Sequence, residues 1–179
     1  ILGASQLTYV EAVASQQKED FIAACEDALH YYGGVPSAIV PDNLKAAVTK
    51  SNRYEPTLNE TFADFADHYA TTILPARAYR PRDKALVEGA VKIIYSRIYA
   101  PINKAIYHTL TELNNAIKEA LEVHNSQPLK GRNYSRRLQF EEVERETLSP
   151  LPALRYEFKK QHQATVMKNG HVCLGIDKH

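Results

Sequence analysis

A chain of 179 residues with 44% apolar residues is long enough for one ordinary domain with a sizeable core. Its 24% charged residues balance to a net charge of +1, so composition alone does not mark it as a nucleic-acid binder, and any basic surface must come from local clustering. Two cysteines, Cys25 and Cys173, lack CxxC spacing and read most simply as small buried residues in a reducing compartment; no signal peptide is visible, and no apolar run approaches the roughly 18 residues of a membrane span.

Residues 2 to 13 hold Leu7, Thr8, Tyr9, Val10 and Val13 among small and polar neighbours, which predicts a strand. A helix follows in "SQQKEDFIAACEDALHYYGG". Ser15 or Gln16 offers a cap, Phe21, Ile22, Cys25, Ala28 and Leu29 recur at helical spacing, and Gly33-Gly34 ends it. "VPSAIVP" is a short strand between prolines, so the first 41 residues read strand, helix, strand. Another helix carries the stripe Phe62, Phe65, Ala66 and Tyr69, with Thr57 or Asn59 as its start signal. "TTILPARAY" returns as a strand and "RPRDK" is a basic turn.

"ALVEGAVKIIYSRIYAPI" predicts a helix with the stripe Val87, Ala90, Val91, Ile94 and Ile98. "TLTELNNAIKEALEVHNSQP" predicts a helix capped by Thr109 or Thr111, with Leu110, Leu113, Ile117 and Leu121 on one face. A basic loop then leads into a short helix from about Ser135, and Pro150 and Pro152 break the chain. Asn169-Gly170 between apolar runs is a hairpin signal. A domain boundary is expected near residue 150. The chain opens inside one apparent strand and stops as another begins, so a piece of a longer polypeptide is expected.

Two acids stand out. Asp42 follows the strand "SAIV" and a proline; Glu88 opens an otherwise apolar helix. Carboxylates brought together bind Mg²⁺ or Mn²⁺, hard cations that prefer oxygen ligands, and a pair of such ions supports phosphodiester chemistry. Asp42 also suits the end of a strand, where α/β proteins place their sites. Plainer readings stand beside these. An Asp after Pro is a common turn former or helix cap, and Glu88 with Lys84 and Lys92 one turn to either side fits a solvated ion-paired face.

The phrases "LGASQLTYVEA", "YYGGVPSAIVPDNLKAAV", "RYEPTLNETFADFADHYATTILPARAYRPRDKALVEGAV", "LTELNNAI" and "LPALRYEF" resemble, in order and over nearly the whole chain, the DDE transposase and retroviral-integrase superfamily, with the IstA-type transposases of bacterial insertion sequences nearest. The resemblance implies an α/β, RNase H-like fold, with a mixed sheet and flanking helices. It implies a partial catalytic core over residues 1–125, a basic linker with a short helix over 126–152, and the start of a small β-barrel-like domain over 153–179. By it Asp42 is the second catalytic acid and metal ligand, Glu88 the third, and Asn43 orients Asp42. The first acid of that family falls upstream of a strand like residues 2 to 13, so no residue here is assigned to it. The chain alone is therefore expected to be inactive, and its open sheet edge is expected to favour a dimer.

The same resemblance implies Mg²⁺ or Mn²⁺ as cofactor, DNA as partner at transposon ends and target, a homo-oligomer, a helper ATPase and a bacterial cytoplasmic setting at the nucleoid. Two basic groups suit phosphate contact: Arg77, Arg80, Arg82 and Lys84 with Lys92 one turn beyond Glu88, and Lys130, Arg132, Arg136 and Arg137 around Tyr134. A solvated charged face is the plainer reading of each. The seven histidines show no HxxxH or Cys/His ligand spacing, and His68 is expected to be structural. No P-loop, GxGxxG or nucleophile elbow appears. The alternative to a transposase piece is a non-catalytic α/β DNA-binding or interaction module.

Overall fold

The computed structural model describes residues 1–41, 48–50, 57–58, 60–74, 89–158 and 166. In chain order these give α1 (Lys18–Tyr32), β1 (Ala38–Ile39), β2 (Val48–Lys50), β3 (Thr57–Leu58), α2 (Glu60–His68) and β4 (Thr72–Ile73). Then come α3, helical over 89–102, α4 (Leu110–Ser126) and the short α5 (Arg136–Gln139). β1 and β4 pair in parallel, Ala38 with Thr72 and Ile39 with Ile73, and α2 lies in the connection between them. β2 and β3 pair antiparallel with an irregular register.

The stripe predicted for α2 is buried in full: Phe62, Phe65, Ala66 and Tyr69 form one cluster with Ile22 and Leu29 of α1 and with Val35 and Ile73. The ring of Phe65 lies 4.9 Å from Tyr69 and 5.6 Å from Tyr156. Thr57, one of the two expected start signals, lies instead in β3, and α2 begins at Glu60. α1 starts at Lys18, two residues past Gln16. Ser15 still serves that end, accepting from the Gln17 amide at 3.1 Å and donating to Asp20 at 2.5 Å. Gly33 ends the helix in the left-handed region at φ 72°, and its amide reaches Leu29 at 3.0 Å. Gly34 answers a different demand. A Cβ there would meet the Leu148 Cβ at 2.7 Å, because Val35 and Ser149 exchange backbone hydrogen bonds of 2.8 and 2.9 Å beside it. Burial pushes the Cys25 thiol up to about 12, in keeping with a packing role.

α3 contains a π turn at Tyr95–Tyr99, just ahead of Pro101. A proline there has no N–H for the Arg97 carbonyl and its ring crowds that group. The wider turn relieves the clash: the Ala100 amide reaches back to Tyr95, and ordinary helix resumes as Asn103 bonds Tyr99 at 2.9 Å. Ile98 is fully buried against Ile117 and Leu121 of α4, with Ile94 packed beside them. Val91, expected on that stripe, is 45% exposed, and Leu110 at the head of α4 is 44% exposed. Thr109 is the cap of α4, its hydroxyl accepting from the Glu112 amide at 3.1 Å. Ser135 caps α5 in the same way.

The first predicted strand is the main difference. Among the described residues no strand pairs with residues 2 to 13. The backbone groups of Thr8 and Ala12 go instead to two side-chain amides of α4. Asn125 accepts from the Thr8 amide at 3.2 Å and donates to the Thr8 carbonyl at 2.8 Å. Asn114 does the same to Ala12, at 2.8 and 3.0 Å. Thr8, Tyr9 and Val10 favour extended backbone, as read from sequence, but the hydrogen bonds that define a strand are supplied here by asparagines.

Candidate functional site

Of the sequence-predicted site residues, Asp42, Asn43, Arg77, Arg80, Arg82, Lys84 and Glu88 lie outside the described residues. The described flanks bring the chain to both acids. β1 runs into buried Pro41, directly before Asp42, and α3 is described from Gly89, directly after Glu88. Among the described residues no cluster of three or more His, Cys, Asp or Glu has the makings of a metal site.

The second basic group divides sharply. Arg137 is spent inside the protein. Its guanidinium reaches both Glu122 oxygens at 2.9 Å and the Tyr31 hydroxyl at 2.8 Å, and lies over the Tyr31 ring. Arg136, next in sequence, is 5% exposed, and its Nε and Nη1 have no hydrogen-bond partner. Arg132 is exposed and sits 6.0 Å from the Tyr134 ring centroid. It rides on a tight turn: Leu129 and Tyr134 bond at 3.0 Å, Arg132 bonds Leu129 at 2.9 Å, and Gly131 takes φ 75°. Lys92 is exposed on α3.

Arg136 faces a cleft of about 660 Å³ lined by Ala4, Gln6, Ile93, Arg97, Pro128, Leu129, Lys130, Arg132, Tyr134 and Arg136. Among the described residues that line it, four are cations and none is an acid. A smaller hollow of 170 Å³ adjoins it, sharing Gln6, Ile93 and Arg136 and adding Thr8, Gly89, Ala90 and His124. Sequence reading missed Arg97 and His124. Arg97 sits four residues after Ile93 on α3, which puts both on one helix face, and a cation in the apolar run "IIYSRIY" was the available signal. His124 is 3% exposed; burial first, then Arg136 and Arg97, lower its pKa to about 4. Burial and Arg97 likewise lower the pKa of Arg136. The cleft is a place where positive charge is crowded and unanswered.

One wall is the loop at residues 2 to 7, closed by a Leu2–Leu7 backbone bond of 2.9 Å, with Gln6 at φ 57°. Glu144 holds it, accepting from the amides of Ala4 at 3.0 Å and Ser5 at 2.9 Å and from the Ser5 hydroxyl. Burial opposes the Glu144 charge, but the donors from Ser5, Ala4 and Gly3 outweigh it and hold the pKa below the usual carboxylate value.

No family model matches the chain. The likeness to known proteins is nonetheless extensive. A Sinorhizobium fredii protein assigned as a transposase, y4bL/y4kJ/y4tB, is 48% identical over 96% of this chain and 33% of its own length. The protein assigned as transposase of insertion sequence IS408 in Burkholderia multivorans is 40% identical over 98% of this chain and 34% of its own. The transposase of insertion sequence element IS21 in Pseudomonas aeruginosa is 29% identical over 84% of this chain and 38% of its own. Over nearly its whole length this chain is similar to insertion-sequence transposases. It spans about a third of the length of the first two of these relatives. The fold agrees. The catalytic core domain of BIV integrase matches with a TM-score of 0.54 at 14% identity, over 76% of this chain and 80% of that one. The simian T-cell lymphotropic virus intasome in complex with PP2A regulatory subunit B56 gamma matches with 0.57 at 19% identity, over 83% and 48%. The architecture is therefore the RNase H-like one of integrase cores, and the transposase reading is favoured over a non-catalytic module. Among the described residues no helix is long and apolar enough to cross a membrane.

Proposed function

We propose that this chain is part of the catalytic core of a DNA transposase, with Asp42 and Glu88 as ligands of Mg²⁺ or Mn²⁺ and Asn43 orienting Asp42. The likeness to transposases over nearly the whole chain is the observation that carries this reading. A hard divalent ion, when bound, polarises a phosphoryl oxygen and favours deprotonation of the attacking oxygen. In the parent enzyme water attacks a phosphodiester at the transposon end and frees a 3′ hydroxyl. That hydroxyl then attacks a target phosphodiester, its oxygen forming the new P–O bond as the target's 3′ oxygen leaves. Arg77, Arg80, Arg82, Lys84 and Lys92 contact DNA on the Glu88 side, and Arg132 and Arg136 on the cleft side. Arg137 belongs to the same basic group, but its pairing with Glu122 and Tyr31 gives it a supporting place.

A second copy and a helper ATPase are proposed partners, and the bacterial cytoplasm at the nucleoid the proposed setting. The division into a core to residue 125, a linker to 152 and the start of a further domain from 153 is part of the same proposal. Leu151 of the linker and Tyr156 of the third part pack on the core cluster.

Mn²⁺ titration followed by electron paramagnetic resonance tests the metal reading. Asp42→Asn and Glu88→Gln should each reduce Mn²⁺ affinity by about tenfold or more, the effect of losing a direct carboxylate ligand. Equal Mn²⁺ binding in both variants and the parent chain would contradict it.

A further inference from the structure

The cleft between α3 and the turn at residues 128–135 poses a problem that folding alone does not solve. A guanidinium is costly to bury without an anion or acceptor, and buried charges are ordinarily paired. Arg136 is 95% removed from solvent, yet its Nε and Nη1 have no partner. Its surroundings make matters worse, since Arg97, Lys130 and Arg132 line the same cleft and, among the described residues, no carboxylate does. Among the described residues, two acids of this region are committed elsewhere. Glu122 holds Arg137 and Tyr31, and Glu144 holds the loop at residues 3 to 5. Arg97 has one hydrogen bond, to the Gln127 side chain at 3.2 Å, and no ion pair among the described residues.

We propose that this cleft is a phosphate site for duplex DNA, with Arg136 as the buried ligand, Arg97 and Arg132 flanking it, and Tyr134 beside the sugar–phosphate chain. This rests on the transposase reading and deepens it by assigning the cleft's own cations, Arg97 among them, to the DNA backbone. Lys92, on the same helix as Arg97, is not among the described residues that line the cleft. A guanidinium whose fork faces an oxyanion suits a phosphodiester, and exposed Lys130 and Arg132 at its rim suit a chain of phosphates more than one small ion. The contact carries no sequence information, so it binds any duplex and weakens with salt.

The test is fluorescence anisotropy of a labelled duplex of arbitrary sequence over a salt series in EDTA, so that metal plays no part. Arg97→Gln and Arg132→Gln should each weaken binding about tenfold and lower the slope of log affinity against log salt by about 1. Arg136→Met keeps the apolar stem. It should cost more than about tenfold in affinity while leaving the thermal midpoint level or higher, a pairing that a purely structural arginine would not give. Lys104→Gln, an exposed cation outside the cleft, is the charge control and should change affinity less than about twofold. Cleft variants that bind like the parent, or no more weakly than the control, overturn the proposal. So does inorganic phosphate that perturbs the His124 ring resonances while duplex DNA neither perturbs them nor competes, since the site would then serve a free anion. The two readings fail separately. Asp42→Asn and Glu88→Gln should leave this metal-free binding intact, and loss of the Mn²⁺ site with the cleft effects retained would break the catalytic reading alone.

Discussion

The α1–α2 region and the α3–α5 region treat buried charge in opposite ways. In the first, Glu26 is buried and fully answered: it accepts from the Tyr69 hydroxyl at 2.5 Å and the Tyr156 amide at 2.7 Å, with Arg155 at 3.6 Å. Tyr156 goes on to Asp64 at 2.9 Å, so one polar chain ties α1, α2 and the segment after Pro152. Burial first, then the Glu26 bond, raises Tyr69 to about 12, and burial followed by Asp64 does the same for Tyr156, so both stay protonated donors. In the second region Arg136 and His124 are buried with unpartnered nitrogens; the first region's counterpart among the described residues is the single His30 Nε2 on α1. A satisfied network stabilises one packing. An unsatisfied one of single sign stores binding capacity, because an arriving anion removes a cost already present.

The largest expected effect breaks the first region. Phe65→Ala removes a fully buried ring stacked among Phe62, Tyr69 and Tyr156, and should cost about 3–5 kcal/mol in urea unfolding. A loss below about 1 kcal/mol would mean that this cluster is not the core. Next, Asn125→Ala strips the partners of the Thr8 amide and carbonyl and one donor to Tyr31, at an expected cost of about 3 kcal/mol. Hydrogen exchange at Thr8 should rise with it.

Acid sharpens the comparison. His124 has a folded pKa of about 4 against 6.5 unfolded, so the unfolded chain takes up its proton first. The cost of burying His124 is absent above about pH 6.5 and grows as pH falls toward 4, to about 3 kcal/mol at most. Arg136 and Arg97 are the charges that act on it. Glu144, lowered rather than raised in pKa, contributes stability that is present above the ordinary 4.5 and disappears as pH falls through its folded value, a lower window. Urea midpoints between about pH 7 and about pH 5 should therefore drop in the parent and drop less in His124→Gln. The smallest effect is at Thr109, where Ala should cost about 1 kcal/mol through the lost cap of α4.

Much of this was legible in the sequence, for identifiable reasons. Helical periodicity located α2 because its stripe is uninterrupted, and Gly33-Gly34 and Thr109 marked ends through local backbone chemistry alone. The extended segment at residues 7–13 was readable as extended but not as lacking a strand partner among the described residues. Its partners, Asn114 and Asn125, lie 102 and 117 positions away and resemble ordinary polar helix residues. Arg136 and Arg137 look alike as neighbours in a basic run, and only packing separates the spent cation from the unpartnered one. Asp42 and Glu88 were singled out by resemblance, since each has a plain local reading, and both lie outside the described residues.

The most direct test of the central claim is the separation of the Asp42 and Glu88 carboxylates in a crystal of this chain soaked with Mn²⁺. Carboxylates within about 4 to 7 Å of each other, with anomalous density between them, are the result expected of a shared metal site on an RNase H-like core. Carboxylates on separate faces with no anomalous density near either would contradict the catalytic assignment.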